Sequence, residues 1–170
     1  MKVAVLAPVH GTLLALEAVL MQLHLEAPNL VVNLGDLVSG LFDPAGSADA
    51  QIALTSTTLA GNHERQSLAG GTGASDAFAG PRLLEQHLGW TTSLPPTLSL
   101  LGGDLDYLLE DVSSGGATLA AAGVIAARLK SVGSARVVLC GHTHVPRVVD
   151  RPAAGIDCEP GQRRHARLQR

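Results

Sequence analysis

A chain of 170 residues with 46% hydrophobic content is long enough to bury an ordinary core as a single domain over 1–170, without disulfide or metal staples. Aromatic residues make up only 2% and the net charge is −3, from 12 Lys and Arg against 15 Asp and Glu, which excludes an aromatic platform or a global basic field for nucleic acid. No stretch reaches the roughly 18 to 20 apolar residues of a membrane span, and MKVAVLAPVHG carries no legible cleavable leader, so the reading is a cytoplasmic protein with neither a membrane nor a stable nucleic-acid partner.

Residues 2–7 read as a buried strand, and after the Gly11-Thr12 break Leu13, Leu16, Leu20 and Leu23 recur at helical spacing. Leu30 to Leu34 is a second strand. Pro44 to about Leu54 is a short helix, with Asp43 as its N-cap and Pro44 at its first position. Thr57 to Ala60 is a third strand, and the glycines from Gly70 to Gly73 read as a flexible loop, because GGTGAS lacks the GK[ST] ending of a phosphate loop. Leu83, Leu84, Gln86, His87 and Leu88 fall on a weakly helical stretch. Asp104 and Asp106, ahead of YLLE, read as a solvated helix start. Ala117 to Lys130 is an Ala-rich helix, and Arg136 to Cys140 is a further buried strand in which Cys140 reads as core. Cys140 and Cys158 form no CxxC pair. Strands alternating with helices predict an α/β fold whose sheet is parallel at least in part.

Four apolar runs break into Gly, Asn, Asp or His: VAVLAPVHG at 3–11, LVVNLGD at 30–36, TLAGNHE at 58–64 and VVLCGHTH at 137–144. In open α/β sheets, sites form outside the carboxyl ends of the strands, where loops from separate parts of the chain converge. His10, Asp36, Asn62, His63, His142 and His144 are therefore expected to meet at one edge. Taken singly, each has a plain structural explanation. An HxH pair is also met in solvated loops, Asp36 in GD serves equally as a turn or cap, Asn62 suits left-handed backbone, and His63 alone is one loop histidine. Glu64 favours a following helix N-terminus, and Arg65 is either a phosphate contact or a surface ion-pair partner. Repetition of the same placement at four strand ends is what a set of separate accidents does not explain.

GDLVSG at 35–40, GNHE at 61–64 and GHTH at 141–144, in that order, resemble the successive motifs of calcineurin-like metallophosphoesterases, above all their small bacterial branch. VHG at 9–11 resembles the tail of the family's opening DxHG motif, and DPAGSADA and DLDYLLE extend the likeness over roughly the first 150 residues. The resemblance implies a metallophosphoesterase-type αβ sandwich with a mixed sheet. It also implies a centre of one or two divalent ions, Mn above all, with Fe, Zn or Ni as alternatives. Carried over, Asp36 bridges the metals, His10 and His144 belong to the first, and Asn62 and His142 to the second. His63 assists the leaving group as proton donor and Arg65 contacts the substrate. The substrate class implied is a phosphorylated small molecule or nucleotide, cleaved at a phosphomonoester or phosphodiester bond.

The chain departs from that pattern at two ligand positions. Pro8 stands where the opening Asp is expected, and no His lies between His87 and His142. Asp36 is then the sole anionic ligand facing divalent charge, which predicts weak activity from an incomplete centre, or a catalytically degenerate scaffold serving as a binding or regulatory module. The region after Arg147 reads as shortened, an expectation that leaves a sheet edge to be covered in a homo-oligomer.

Overall fold

The computed structural model describes residues 1–68, 73–102, 105–110, 137–142 and 144. All lie in one compact unit, Met1–Thr118 with Ser134–Pro146. The expected helix at 117–130, Asp104, Cys158 and the glycines 70–72 fall outside the described residues.

The chain opens with β1 (Val3–Leu6), α1 (Leu13–Glu26) and β2 (Leu30–Asn33). β1 and β2 are parallel, with Val3 opposite Leu30 and Leu6 opposite Asn33. Ala27 ends α1 in the left-handed region at φ 42°, its N–H returning to the Leu23 carbonyl at 2.9 Å. Pro28 then prevents continuation, because it has no N–H to donate. The start of β1 is tied to the start of β2, where the Lys2 N–H donates to Asn29 Oδ1 at 2.7 Å and the Lys2 carbonyl accepts from Asn29 at 2.9 Å.

α2 (Pro44–Leu54) has the expected bounds and cap, the Asp43 carboxylate accepting from Gly46 N–H at 2.9 Å. β3 (Thr57–Thr58) completes a parallel sheet of order β1-β2-β3. It is two residues shorter than its sequence pattern because Leu59 and Ala60 bend away: Leu59 N–H still bonds Asn33 at 3.0 Å, while Ala60 N–H bonds Pro95 at 2.9 Å.

Two short helices that periodicity did not announce come next, α3 (Asn62–Leu68) and α4 (Ala74–Ala79). A 3-10 turn over Gly80–Arg82 leads to α5 (Glu85–Ser93). His87, fully buried, locks α5: it accepts from Leu84 N–H at Nδ1 (3.2 Å) and donates from Nε2 to Asp49 at 2.8 Å. It is thus a helix anchor, consistent with its place outside every motif.

A second sheet holds β4 (Thr97–Gly102), β5 (Leu105–Glu110) and β6 (Val137–Cys140). β4 and β5 are antiparallel, β5 and β6 parallel. Asp106 therefore lies in a strand, opposite Leu101, and not at a helix start. The alternation of DLDYLLE was too short to separate the two periods. Cys140 is exposed rather than buried, because it sits at the last position of β6, where the chain leaves the sheet.

The two sheets face each other across an aliphatic core. Val32 of β2, with Leu34 and Leu59 just beyond the ends of β2 and β3, is packed by Leu98 of β4 and by Val137 and Leu139 of β6. Each fully buried aliphatic side chain contributes about 1.5–3 kcal/mol, so this layer needs no aromatic residue to hold. A separate cluster of Leu37, Val38 and Ala48 with Leu83, Trp90 and Leu94 seats α2 and α5 beside the loop after β2. Among the described residues no helix is long and apolar enough to cross a membrane.

Candidate metal and active site

The loops after β1, β2, β3 and β6 meet as the strand-end pattern predicts. The loop after β1 is laid along that after β2: Val9 and His10 N–H both donate to the Asp36 carbonyl, at 3.1 and 2.8 Å, and Gly11 N–H to Leu37 at 3.0 Å. Gly141 brings in the end of β6. A Cβ there would stand 2.9 Å from the Leu34 carbonyl oxygen and 3.2 Å from Leu34 Cβ, so only glycine allows the approach. Gly35, at φ +92°, is pressed so closely on the Gly61 backbone that no Cβ fits, which joins the GD and GN turns.

Among the described residues, six non-glycine residues have positive φ. Ala27 and Thr55 are helix C-caps; the other four are His10 (50°), Asp36 (55°), His142 (82°) and His144 (55°). Left-handed backbone costs a non-glycine residue of order 1–3 kcal/mol and persists where surrounding structure enforces it, typically at functional sites. Here the strain falls on four of the five residues expected to ligate metal.

His10, Asp36 and His144 each offer a ligand atom within 4.8 Å of the others. His10 Nδ1 lies 2.9 Å from the Ser39 carbonyl. A carbonyl only accepts, so Nδ1 carries the proton and Nε2 keeps a lone pair, directed at His144 Nε2 3.0 Å away. Burial lowers the His10 pKa, assisted by His63 and His144 and opposed by the Ser39 carbonyl and Asp36; the imidazole is thereby favoured in the neutral form that a ligand needs.

On the other side of Asp36, one amide atom of Asn62 lies 2.7 Å from His142 Nδ1 and 3.2 Å from each Asp36 oxygen. As nitrogen, that atom donates to the carboxylate. As oxygen, it accepts from His142 Nδ1–H and faces both carboxylate oxygens, an arrangement that a cation would stabilise. Asp36 itself is 2% exposed, and such a carboxylate requires compensation. Imidazole and carboxylate donors suit a divalent transition metal, and His10, Asp36 and His144 together fit one such ion.

His63 stands on the first turn of α3, its N–H donating to Asp36 Oδ1 at 3.2 Å and its ring 5.1 Å from that of His10, edge to face. Nδ1 is 2.9 Å from Ser39 Oγ and 3.2 Å from Asp76 Oδ1. Arg65 donates from Nη1 to the Ala60 carbonyl at 2.7 Å. Pro8 lines a groove between β1 and α1 with Val5, Leu6, Ala15, Leu16 and Val19.

Two participants went unread in the sequence, Ser39 and Asp76, and a third, Glu64, reads there only as an acid at a helix start. Glu64 is 3% exposed and clamps two loops together, Oε2 accepting from Asp36 N–H and Gly61 N–H at 2.9 Å each, and Oε1 from Leu37 N–H at 2.8 Å. The bond back to Gly61 is half of a capping box, legible as a Glu three residues after the N-cap of α3; the two bonds to the loop after β2 were not legible. Asp76 occupies the third position of α4, buried, inside a stretch whose glycines pointed to a loop.

The family model described as "Calcineurin-like phosphoesterase superfamily domain" matches residues 1–169, and the chain belongs to that superfamily. Its fold is similar to that of a metallophosphoesterase from Sphaerobacter thermophilus, with TM-score 0.63 and 23% identity over 86% of this chain and 62% of the other. It is also similar to a hypothetical protein from Pyrococcus horikoshii OT3, with TM-score 0.65 and 20% identity over 82% and 68% of the two chains. The chain thus spans 62% of the length of the Sphaerobacter protein. At these identities the likeness bears on fold alone. No curated protein matches the sequence significantly.

Proposed function

We propose that the protein is a metal-dependent phosphoesterase that hydrolyses a phosphomonoester or phosphodiester bond of a phosphorylated small molecule or nucleotide in the cytoplasm. The observation that carries this reading is the convergence of His10, Asp36, His142 and His144, all on strained left-handed backbone, with the Asn62 amide against the same carboxylate. In this reading Asp36 is the shared ligand, His10 and His144 complete one half-site and Asn62 and His142 the other, with Mn as the preferred ion. A divalent ion held there supplies Lewis-acid stabilisation of phosphoryl oxygens and a nucleophile at neutral pH. His63 hands a proton to the leaving oxygen. Arg65, tethered to Ala60 beside it, takes a substrate oxygen.

Each half-site has three protein ligands, and Asp36 is the single anion among them. That composition favours loosely held ions and modest turnover over a tight pair. The test is hydrolysis of bis(p-nitrophenyl) phosphate and p-nitrophenyl phosphate with added Mn, with and without chelator. Turnover that needs Mn and falls about 100-fold in His63→Ala supports the reading. Metal binding with turnover at background would establish the competing one, suggested by Pro8 in the place of a ligand: a binding module on a phosphoesterase scaffold.

A further inference from the structure

We infer that Asp76, aided by Ser39, is the positioning residue that fixes the tautomer and aim of His63. The inference rests on the proposed role of His63 as proton donor, but its geometry is independent of that role.

Two acceptors converge on His63 Nδ1. The Ser39 hydroxyl donates to Ser75 Oγ at 3.0 Å, so it turns a lone pair to His63, 2.9 Å away. Asp76 Oδ1 is 3.2 Å from the same nitrogen, and an ionised carboxylate only accepts. Nδ1 is therefore the protonated nitrogen of the neutral ring. Nε2, at the opposite edge, has no hydrogen-bond partner among the described residues and is the atom left for a substrate.

The carboxylate is not a surface cap. Asp76 is 8% exposed, and a buried carboxylate is retained where it has a partner that needs it. It comes from α4, so the contact ties α4 to α3 and to the loop after β2, which carries both Ser39 and Asp36. The His63 main chain is fixed independently by its N–H bond to Asp36 Oδ1. Together these contacts leave the ring one orientation.

This matters for the order of proton transfer. In hydrolysis, a bond forms from a water oxygen to phosphorus and the bond to the leaving oxygen breaks. In its acid form the ring carries a proton on each nitrogen; the Nε2 proton passes to that leaving oxygen, and the proton the attacking water gives up returns through solvent to Nε2. Between the two transfers the ring is neutral with its remaining proton on Nδ1, the form that Asp76 and Ser39 hold. Without Asp76 the ring can turn about its Cβ–Cγ bond, or hold its neutral-form proton on either nitrogen, and Nε2 is then no longer fixed facing the leaving oxygen. A carboxylate behind a histidine acts in this way without touching substrate.

The experiment compares the full chain with Asp76→Ala and Asp76→Asn, using long-range 15N–1H correlation of the histidine rings at a pH where they are neutral. The expected wild-type signature is the Nδ1–H tautomer at His63, lost or mixed in Asp76→Ala and partly retained in Asp76→Asn, whose amide oxygen can still accept. In the same variants with Mn, kcat should fall about 100-fold for phenyl phosphate, whose leaving group needs a proton. It should fall at least about tenfold less for p-nitrophenyl phosphate, with KM within about twofold for both. An Nε2–H tautomer in the wild type, an unchanged tautomer in both variants, or equal losses on the two esters would overturn the inference. If the wild type hydrolyses neither ester, the functional reading fails while the tautomer spectra still decide the role of Asp76.

Discussion

Glu64 offers the sharpest test of how the site is held. Its carboxylate is buried at 3% exposure and satisfies three backbone N–H groups, those of Asp36, Leu37 and Gly61. Truncation to Ala leaves three buried donors unsatisfied, at about 1–3 kcal/mol each, with water entering the space recovering part of that. A loss of about 3–6 kcal/mol is expected for Glu64→Ala, a large share of a marginal total. Glu64→Gln keeps one acceptor oxygen but turns an NH2 group on at least one backbone N–H, so it should cost about 1–3 kcal/mol. The same clamp holds Asp36 at φ 55°, so Glu64→Gln should also weaken Mn binding by about 10–100-fold, the usual effect of removing support behind a ligand.

The pH dependence has a definite sign. Burial pushes the Glu64 pKa above its ordinary 4.5, with the nearby Asp36 charge acting in the same direction and the three N–H groups opposing. A carboxyl whose pKa is raised by folding binds its proton more tightly in the native state. Its linked stability is fully present below about 4.5 and falls as pH rises through the native pKa. His10, whose pKa burial lowers, contributes the opposite slope to both proteins, so it is the difference in stability between wild type and Glu64→Gln that should decline in urea titrations between pH 4.5 and 8. A Glu64→Ala loss below about 1 kcal/mol, or an identical pH slope in Glu64→Gln, would refute the clamp.

Gly35→Ala places a Cβ against the Gly61 backbone at φ +92° and should cost at least about 2 kcal/mol, with Mn affinity lost in the same variant; denaturation and metal titration on one preparation check both. Pro8→Asp adds a second carboxylate at the end of β1 and should raise Mn affinity by about tenfold or more, about 1.4 kcal/mol. Unchanged affinity in that variant would mean that position 8 serves only the apolar groove between β1 and α1. Asp43→Ala removes the α2 cap and should cost about 1 kcal/mol in thermal or urea unfolding, with Mn affinity unaffected because Asp43 serves the helix end and not the ligands.

The first parallel sheet was legible because β1, β2 and the cap of α2 follow local rules: short β-branched runs, and Asp43 followed by Pro44. The convergence of the loops was legible for the same reason, since polar residues after parallel strands share one edge. What the sequence did not disclose depends on contacts far along the chain. Asp106 belongs to a strand because β4 and β6 flank β5, a fact of pairing and not of pattern. Glu64 looks like a helix-start acid, and its second function arises only once Gly35 and Gly61 press together. Asp76 is separated from His63 by glycines that pointed to a loop, and only the packing of α4 brings its carboxylate to Nδ1. Glu64 adds to the expectation that Asp36 is the sole anionic ligand a second buried carboxyl behind it, and the two interact.

Whether the strand-end residues form a metal site is decided by titrating the metal-free protein with Mn(II) and following bound ion by calorimetry, wild type beside Asp36→Asn. Saturable binding of at least one ion per chain is expected in the wild type, weakened about 100-fold, or about 2.8 kcal/mol, in Asp36→Asn. No saturable binding in the wild type, or equal binding in the two proteins, would contradict a metal site there.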